Sequence, residues 1–542
     1  MKRVELLDCT LRDGGRIIDC RFKDSVIEGI SDDLTHAGVE IIELGFLRDK
    51  DLVCYTGDST FFTGVHQMDR FVADSDRALY CAFIDYGMYD FADLCDKGDT
   101  RIGAIRVGFT KKDFETDEKG IRQALNDVKS KGYKLFVQGV NTPGYADKQL
   151  LDVIDMVNEV QPYSFGIVDT YGSLYLEDLT YIYSVVEHNL NKNIRIDIHS
   201  HNNFQSSFAF AQEVLRVSSE DRVIILDATL NGMGKCAGNL NTELIVDYLN
   251  RKTGKEYDLN LLLDCIDRYL VPLKRNLTWG YSIPAFMAGI YKTHPNNVIY
   301  LTEKFRLRSK DIKYILAAID EEKRQRYDYD NIQRIYREYS SCDIDDSKER
   351  RRIREVIKGK KVLVIAPGKS VLSHTDELAR TSRDKEVIVI SISFIPDIIH
   401  VDYLFCANAL HWGRLRKQMA PTQCIITSNI KENIQGTIYI NYSSYLGEVD
   451  QLADNSMIML LNLLYECDAG DIMLAGFDGL QVDSDNYVSE EFVDSGHGIS
   501  IADSNSMIKK MYDSFLKKAV GKVKVSMLTP SLFEESENGI PG

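Results

Sequence analysis

The sequence has no C-x-x-C pair, no long apolar run and no excess of positive charge. Its 11 cysteines, an odd number, are scattered along 542 residues, which favours reduced thiols over a disulfide framework or a structural zinc. A net charge of −17 argues against a nucleic-acid-binding surface, because phosphates are neutralised by a basic face. No run of about 18 apolar residues occurs, so we expect no membrane span. The chain enters a strand-like run directly after Met1, so we expect no signal peptide and a cytoplasmic protein.

The first 230 residues repeat one pattern, in which short apolar runs alternate with segments of helical periodicity. The runs are almost continuously apolar, which is typical of parallel strands covered on both faces. The predicted strands are Val4–Cys9, Ile41–Phe46, Leu79–Ile84, Ala104–Phe109, Lys134–Val140, Ser164–Asp169, Ile194–His199 and Val223–Leu230. A doubly wound open sheet is the alternative, but eight units that end near residue 250 favour a closed (β/α)8 TIM barrel.

A chain of this length is too long for one core, so further domains are expected. A second α/β pattern begins at Lys361 and contains six predicted strands, which indicates a smaller, Rossmann-like, doubly wound domain. The predicted division is a catalytic barrel over residues 1–255, a helical extension over 256–345, a charged linker over 346–360, the Rossmann-like domain over 361–533 and a frayed tail over 534–542.

Two polar segments, about 190 residues apart, break out of predicted barrel strands. Asp13 follows the first strand, and His199 and His201 are two apart at the end of the seventh, so their side chains face the same side. Strands one and seven of a closed eight-stranded barrel are separated only by strand eight, so the three side chains can share one metal ion. Asn239, in the glycine-rich loop after strand eight, is a further candidate ligand. These donors suit Mn²⁺, Mg²⁺, Co²⁺ or Zn²⁺, with Mn²⁺ as the first expectation.

Each of these segments alone is a weak indicator, because a His-x-His pair or an Arg-Asp-Gly turn has ordinary structural meanings. Their position at strand ends in one barrel register is what predicts a site. An enolate carries a new negative charge, and a fixed cation beside a guanidinium would stabilise it in a dry barrel mouth. The combination therefore suits chemistry on a 2-oxo acid.

Five motifs, in the same order along the chain, resemble those of the DRE-TIM metallolyase superfamily, the HMGL-like enzymes. They are Asp8-Cys9-Thr10-Leu11-Arg12-Asp13-Gly14, Glu43-Leu44-Gly45-Phe46, Asp169-Thr170-Tyr171-Gly172, His199-Ser200-His201-Asn202 and Gly232-Met233-Gly234-Lys235-Cys236-Ala237-Gly238-Asn239. The resemblance covers roughly residues 1–300 and is nearest to the 4-hydroxy-2-oxovalerate aldolase branch.

The resemblance implies a role for each of these residues. The implied metal ligands are Asp13, His199 and His201, with Asn239 completing the site or lying just behind it. Arg12 would face the keto oxygen of a pyruvate-like substrate, Glu43 would position Arg12, and Thr170 would contact the substrate carboxylate. Gln138 is expected to be a further substrate-binding residue.

One position departs from the aldolase branch, which carries a catalytic histidine just after the Arg-Asp-Gly turn. Arg16 stands there in this chain, and arginine is a poor general base because it stays protonated. We expect Tyr291 to move the proton, ahead of His294 or a metal-bound water. Arg16 could instead bind a carboxylate or phosphate of the second substrate. Cys236, where the lyase branch has a reactive cysteine, is interpreted as a small residue in a tight loop.

The second domain gives less specific patterns. Val362–Ser370 is a strand and Gly/Ser turn that could cradle a phosphate, and Gly476–Gly479 could contact a ribose or a sugar. Together they resemble, loosely, Rossmann-like domains of surface-glycan transferases. The segment lacks the G-x-G-x-x-G and P-loop patterns, so a structural or oligomerising domain is an equal alternative.

The sequence thus predicts a divalent-metal-dependent aldolase that joins or separates a pyruvate-type enolate and an aldehyde. The expected partners are a small 2-oxo acid and an aldehyde, with neither nucleic acid nor membrane, and relatives of this kind suggest a homodimer. Two alternatives stay open. One is a Claisen-type acyltransferase that uses acetyl-CoA and a 2-oxo acid, and the other is a degenerate barrel that supports a nucleotide-sugar-binding C-terminal domain.

Overall fold

The structure is a computed structural model that describes residues 2–75, 77–275, 277–305, 307, 309–432, 434–449, 452–481, 486–489 and 500–534. It divides into two compact units, Met1–Val298 with Glu321–Tyr327, and Ile299–Asp320 with Asp328–Gly542. The division into five segments expected from the sequence stays a prediction. The predicted tail lies, from residue 535 onward, outside the described residues.

The first unit contains a closed barrel of eight parallel strands. They are β1 Arg3–Asp8, β2 Ile41–Leu47, β3 Leu79–Asp85, β4 Ala104–Thr110, β5 Lys134–Val140, β6 Ser164–Asp169, β7 Arg195–Ser200 and β8 Val223–Ala228. Strand β1 pairs with both β2 and β8, which closes the sheet. The predicted (β/α)8 barrel is confirmed, and every strand boundary lies within two residues of its expected position.

Six of the eight strands are followed by a helix that covers the outside of the barrel. These helices are α1 Asp24–His36, α2 Lys111–Ser130, α3 Asp147–Val160, α4 Leu176–Asn189, α5 Ser207–Val217 and α6 Thr242–Thr253. In the described connections after β2 and β3, short 3-10 turns take the place of a helix. A two-residue strand, Phe61–Phe62, pairs there with the end of β2. Apolar helix faces and both faces of the strands form one core, which explains the continuous apolar runs.

A series of helices follows the barrel along the chain. They are α7 Leu259–Cys265, α8 Val271–Lys274, α9 Ile283–Ile290, α10 Pro295–Phe305, α11 Ser309–Ala318, α12 Glu321–Arg324 and α13 Tyr329–Ser340, with a π-helical turn at Ile266–Leu270. No helix in the described part of the chain is both long and apolar enough to cross a bilayer.

The second unit is built on a parallel sheet of seven strands. They are β9 Lys361–Ile365, β10 Val387–Ile392, β11 Tyr403–Cys406, β12 Cys424–Thr427, β13 Ile438–Ile440, β14 Asp471–Ala475 and β15 Lys524–Met527. The order across the sheet is β13-β12-β11-β10-β9-β14-β15, so the winding direction reverses between β9 and β14. Helices α14 Ser347–Ile357, α15 Ser370–Ser373, α16 Thr375–Thr381, α17 Ala409–Leu415, α18 Ser456–Glu466 and α19 Ile501–Ala519 complete the unit. The predicted doubly wound domain is confirmed.

The charged segment between the two α/β patterns forms helix α14. Its Ile353 and Ile357 are buried in the core of the second unit, while its arginines lie on the other face. The helix therefore packs as part of this unit through a narrow apolar stripe.

Candidate active site

The turn after β1 places Arg12 and Asp13 at the carboxyl end of the barrel, where the active sites of this fold form. The Cys9 carbonyl accepts hydrogen bonds from three successive backbone N–H groups, those of Arg12, Asp13 and Gly14. The Asp8 carboxylate accepts further bonds from the Thr10 N–H at 2.9 Å and the Thr242 hydroxyl at 2.6 Å. These bonds fix the turn from below, so its two charged side chains have a defined position.

Asp13 meets the two histidines of β7 at this end of the barrel. Ligand atoms of Asp13, His199 and His201 all lie within 4.8 Å of one another. Asp13 Oδ2 is 3.8 Å from Nε2 of His199 and 3.6 Å from Nε2 of His201. Burial lowers the pKa of each imidazole to about 4, so both rings are neutral at pH 7. Burial alone would raise the pKa of Asp13, but the positive charge of Arg12 helps to lower it below its ordinary value.

Asn239 completes this group. Its Nδ2 donates to Asp13 Oδ2 at 3.0 Å and to the Met233 carbonyl at 3.1 Å. Its Oδ1 is buried and has no hydrogen-bond partner in the described part of the chain. A buried amide oxygen without a partner is costly, and a cation would satisfy it. One carboxylate, two neutral imidazoles and this amide oxygen fit a divalent metal ion.

Gly238 is needed to hold Asn239 in this place. Its φ is +74°, and a Cβ atom there would lie 1.9 Å from the Gly232 carbonyl oxygen. A side chain at 238 would therefore force the glycine-rich loop open.

A second group of donor atoms, those of Cys9, His199 and Asp227, also lies close together. Burial raises the pKa of the Cys9 thiol well above its ordinary value, with the charge of Asp227 adding to the effect. A metal ligand needs the thiolate, so this group is the poorer site.

A buried ionic cluster lies below the Asp13 group, inside the barrel. Its centre is Arg106, whose guanidinium is 3.2 Å from Glu43, 3.0 Å from Asp197 and 2.6 Å from Asp227. Glu43 also accepts a 2.6 Å hydrogen bond from Arg12 Nε, and Arg12 Nη1 donates to Asp13 at 2.7 Å. The guanidinium of Arg12 is thus held on two sides.

The same cluster orients His199, because the imidazole Nδ1 and Asp227 Oδ2 form a 2.8 Å hydrogen bond. Such a bond fixes the tautomer and directs Nε2 toward a metal. Arg106, Asp197 and Asp227 are not among the site residues predicted from the sequence. Each is nevertheless a charged residue inside an apolar run predicted to be a buried strand, and a charge in that place indicates a built polar cluster.

A cavity of about 180 Å³ opens above the Asp13 group. Arg12, Arg16, Thr170 and Gln138 line it, and Phe83, Val140 and Val168 form an apolar wall. The Thr170 hydroxyl accepts the Asn141 N–H at 2.8 Å, which leaves its own hydrogen for a ligand. The Gln138 amide donates to Asp197 at 2.7 Å. A cavity of this size suits small substrates, since drug-sized ligands need at least ~300 Å³.

The two expected proton-transfer residues differ in their relation to this cavity. His294 lines it, whereas Tyr291 is absent from the described residues that do. Tyr291 directly follows α9 as its C-cap, and the backbone then reverses through Lys292, whose φ is +46°. Burial and the nearby cations Lys235 and Arg16 lower the pKa of His294 to about 4.

The second unit has its own cavity, of about 230 Å³, at the carboxyl ends of β9 and β14, where the winding reverses. Gly368 and Gly476 lie in contact there, and a Cβ atom on Gly368 would come within 2.3 Å of the Gly476 carbonyl oxygen. The Asp478 carboxylate accepts from the Ser370 N–H and hydroxyl, so the predicted phosphate cradle is engaged by an acid of the same chain. Phosphate or sugar binding there stays a prediction.

Residues 105–267 match the HMGL-like family model. The barrel contains an HMGL-like domain. The resemblance to the DRE-TIM metallolyases is thereby confirmed at the level of the superfamily.

Individual relatives share low identity with this chain. The 4-hydroxy-2-oxovalerate aldolase of Geobacillus genomosp. 3 is 22% identical over 322 residues, which are 57% of this chain and 90% of that enzyme. The oxaloacetate decarboxylase of Mycobacterium tuberculosis is 24% identical over 252 residues, 46% of this chain and 70% of that protein. Among solved structures, the HMG-CoA lyase of Brucella melitensis has a TM-score of 0.42 and 12% identity, and covers 51% of this chain and 100% of its own.

Proposed function

We propose that this chain is a divalent-metal-dependent aldolase that forms or cleaves a C–C bond between a pyruvate-type enolate and an aldehyde. The convergence of Asp13, His199 and His201 beside the doubly held Arg12 carries the proposal. The names of the relatives support an enzyme of the lyase class.

Asp13, His199, His201 and the Oδ1 atom of Asn239 are the proposed metal-binding groups. When bound, a divalent ion there would supply Lewis-acid stabilisation of the negative charge that develops on a 2-oxo acid. Asp227 holds the His199 tautomer that presents Nε2. Mn²⁺ as the metal, a cytoplasmic location and a homodimer stay predictions.

Arg12 is the proposed electrostatic partner of the enolate oxygen. Glu43 and Asp13 hold its guanidinium before any substrate arrives, so little reorganisation is needed when charge develops. The Thr170 hydroxyl donates to the substrate carboxylate in this proposal, and Gln138 contacts the substrate from the wall of the cavity. The apolar wall excludes water from the enolate.

His294 replaces Tyr291 as the proposed group at the reacting aldehyde, because only His294 of the two lines the cavity. Its Nδ1 accepts the Asn296 N–H at 3.2 Å, which places the proton of the neutral ring on Nε2. The Nε2–H can donate a hydrogen bond to the aldehyde oxygen, whose negative charge grows as the new C–C bond forms.

Proton exchange from the methyl group of pyruvate in D₂O, followed by ¹H NMR, tests the proposal. We expect exchange with Mn²⁺ present, loss of exchange after chelation, and loss in Asp13→Ala. Asp74→Asn is the matched control, because the Asp74 side chain is fully exposed.

The competing functions give different results in this assay or in two parallel assays with other substrates. Metal-independent or absent exchange would contradict an aldolase. Release of free CoA from acetyl-CoA and a 2-oxo acid would instead identify a Claisen enzyme. Decarboxylation of oxaloacetate yields the same pyruvate enolate, so the activity named for the mycobacterial relative fits this site as a second candidate. Release of CO₂ from oxaloacetate without any aldehyde addition would favour it.

A further inference from the structure

The cavity above the Asp13 group contains more positive than negative side chains. Among the described residues, three cations line it, Arg12, Arg16 and Lys235, and the acidic lining residues are Asp13 and Asp85. Both acids are already engaged. Asp13 accepts from Arg12 at 2.7 Å, and Asp85 accepts from Arg48 at the cavity edge.

Within the part of the chain that the structure describes, Arg16 has only distant ionic partners. Its guanidinium is 3.5 Å from Asp13 and 3.7 Å from Asp85, in both cases farther than the arginine that already binds that acid. The side chain stacks on Phe46, with its guanidinium 4.5 Å from the ring centre. This contact orients the planar group without using its N–H donors.

Lys235 approaches the same cavity from the glycine-rich loop. Its ammonium contacts the uncharged Asn296 Oδ1 at 3.5 Å, and no ion pair of this lysine occurs in the described ranges. Burial lowers its pKa, and the like charge of Arg16 adds to the effect. The two cations repel each other at this partly buried place, and an anion bound between them would relieve that repulsion.

We infer that Arg16 and Lys235 form a binding subsite for a terminal anionic group, a carboxylate or phosphate, on the aldehyde substrate. The inference rests on the proposed aldolase function and names the class of its second substrate. A cavity of about 180 Å³ limits that substrate to a short chain. The anion would lie at Arg16 and Lys235, while the aldehyde carbon points toward Arg12 and the histidines.

Competition between charged and neutral aldehydes of matched length tests the inference. Glyceraldehyde 3-phosphate is compared with glyceraldehyde, and succinic semialdehyde with butanal, each with pyruvate as donor. We expect the wild type to have a higher kcat/KM for the charged aldehyde than for the neutral one in one of the two pairs. The pair in which this preference occurs shows whether the subsite binds a phosphate or a carboxylate. In Lys235→Met this preference should fall about ten- to a hundredfold, which is the effect of losing one charged hydrogen bond.

Two further variants separate loss of charge from loss of fold. Lys235→Arg should keep most of the preference. Lys50→Met, at an exposed lysine outside the cavity lining, should leave it unchanged. Calorimetric binding of glycerol 3-phosphate or butyrate, with glycerol and butanol as neutral partners, gives a readout that needs no turnover. The favoured anion should bind at least tenfold more weakly to Lys235→Met than to the wild type.

Equal use of charged and neutral aldehydes by the wild type, or an unchanged preference in Lys235→Met, would overturn the subsite. If the aldolase proposal itself is wrong, a different result is expected: pyruvate incubated without any aldehyde will not exchange its methyl protons. Exchange without charge preference refutes only the subsite, and anion binding without exchange supports the subsite while refuting the aldolase.

Discussion

Replacement of Asp227 by asparagine should weaken metal binding without unfolding the barrel. Asp227 Oδ2 accepts the Nδ1 proton of His199 at 2.8 Å, which keeps the Nε2 lone pair directed at Asp13. An asparagine amide can donate to Nδ1 and so stabilise the wrong tautomer. Loss of such a partner weakens metal affinity about 10- to 100-fold, which corresponds to ~1.4–2.8 kcal/mol.

The structure also indicates why the protein should tolerate this change. Three carboxylates, Glu43, Asp197 and Asp227, surround the single guanidinium of Arg106. Burial and the charge of Asp227 raise the pKa of Asp197 to about 7, so Asp197 and Asp227 repel each other when both are ionised. Removing one charge relieves repulsion and offsets part of the lost ion pair.

Asp197→Asn is the matched control, because Asp197 binds Arg106 and Gln138 but forms no hydrogen bond to His199 in the described structure. Both variants would be titrated with Mn²⁺ by calorimetry after chelation, and their thermal unfolding would be recorded without metal. We expect the large affinity loss only in Asp227→Asn. Equal losses in the two variants, or unchanged affinity in Asp227→Asn, would refute the role of Asp227 in orienting His199.

Three other predictions follow from single residues. Gly238→Ala should unfold at a lower temperature and bind metal more weakly, because the new Cβ would clash with the Gly232 carbonyl. Metal affinity is measured by calorimetry, and unchanged affinity would contradict the role of the loop. The pKa of His294 is about 4 in the folded protein, against an ordinary 6.5, so the unfolded chain binds a proton more readily. The free energy of unfolding is therefore unaffected by this group above pH 6.5 and decreases as the pH falls toward 4. His294→Asn should therefore show a smaller acid loss of unfolding free energy by urea titration, by at most ~3 kcal/mol because the ring is partly exposed; an unchanged pH slope would contradict this. Burial raises the pKa of Cys236 to about 12, so iodoacetamide at pH 7 should modify the exposed Cys54 before Cys236. The order of labelling is measured by mass spectrometry, and early labelling of Cys236 would contradict a closed glycine-rich loop.

Strand periodicity and motif order predicted the barrel and the meeting of Asp13 with His199 and His201. The reason is geometric, since alternation along a strand decides which side chains point to the same side, and closure of eight strands decides which strand ends are neighbours. Helical periodicity likewise predicts helices between most strands, and in the described structure six of the eight barrel strands are followed by one. The links after β2 and β3 carry only short turns in the described residues.

Which of Tyr291 and His294 lines the cavity depends on one backbone turn that the local sequence does not indicate. The reversal at Lys292, with φ at +46°, leaves Tyr291 at the end of α9 and brings His294 to the cavity. A lysine in a left-handed conformation is uncommon, and no glycine or asparagine marks the position in the sequence. Sequence spacing alone could not predict which of the two residues faces the cavity, because they lie three positions apart on either side of such a turn.

The interior of the barrel shows how the predicted site depends on residues that the motifs do not contain. Arg106 is ion-paired with Glu43, Asp197 and Asp227, and two of these acids hold Arg12 and His199. Without that central cation, Glu43 and Asp227 would take up protons more readily in a dry core and would orient their partners less well. A guanidinium buried at 0% exposure thus supports, through Asp227, the orientation of an imidazole to which it is not hydrogen-bonded in the described structure, that of His199. The geometry of the proposed metal site at the mouth therefore depends on ion pairing deep within the barrel.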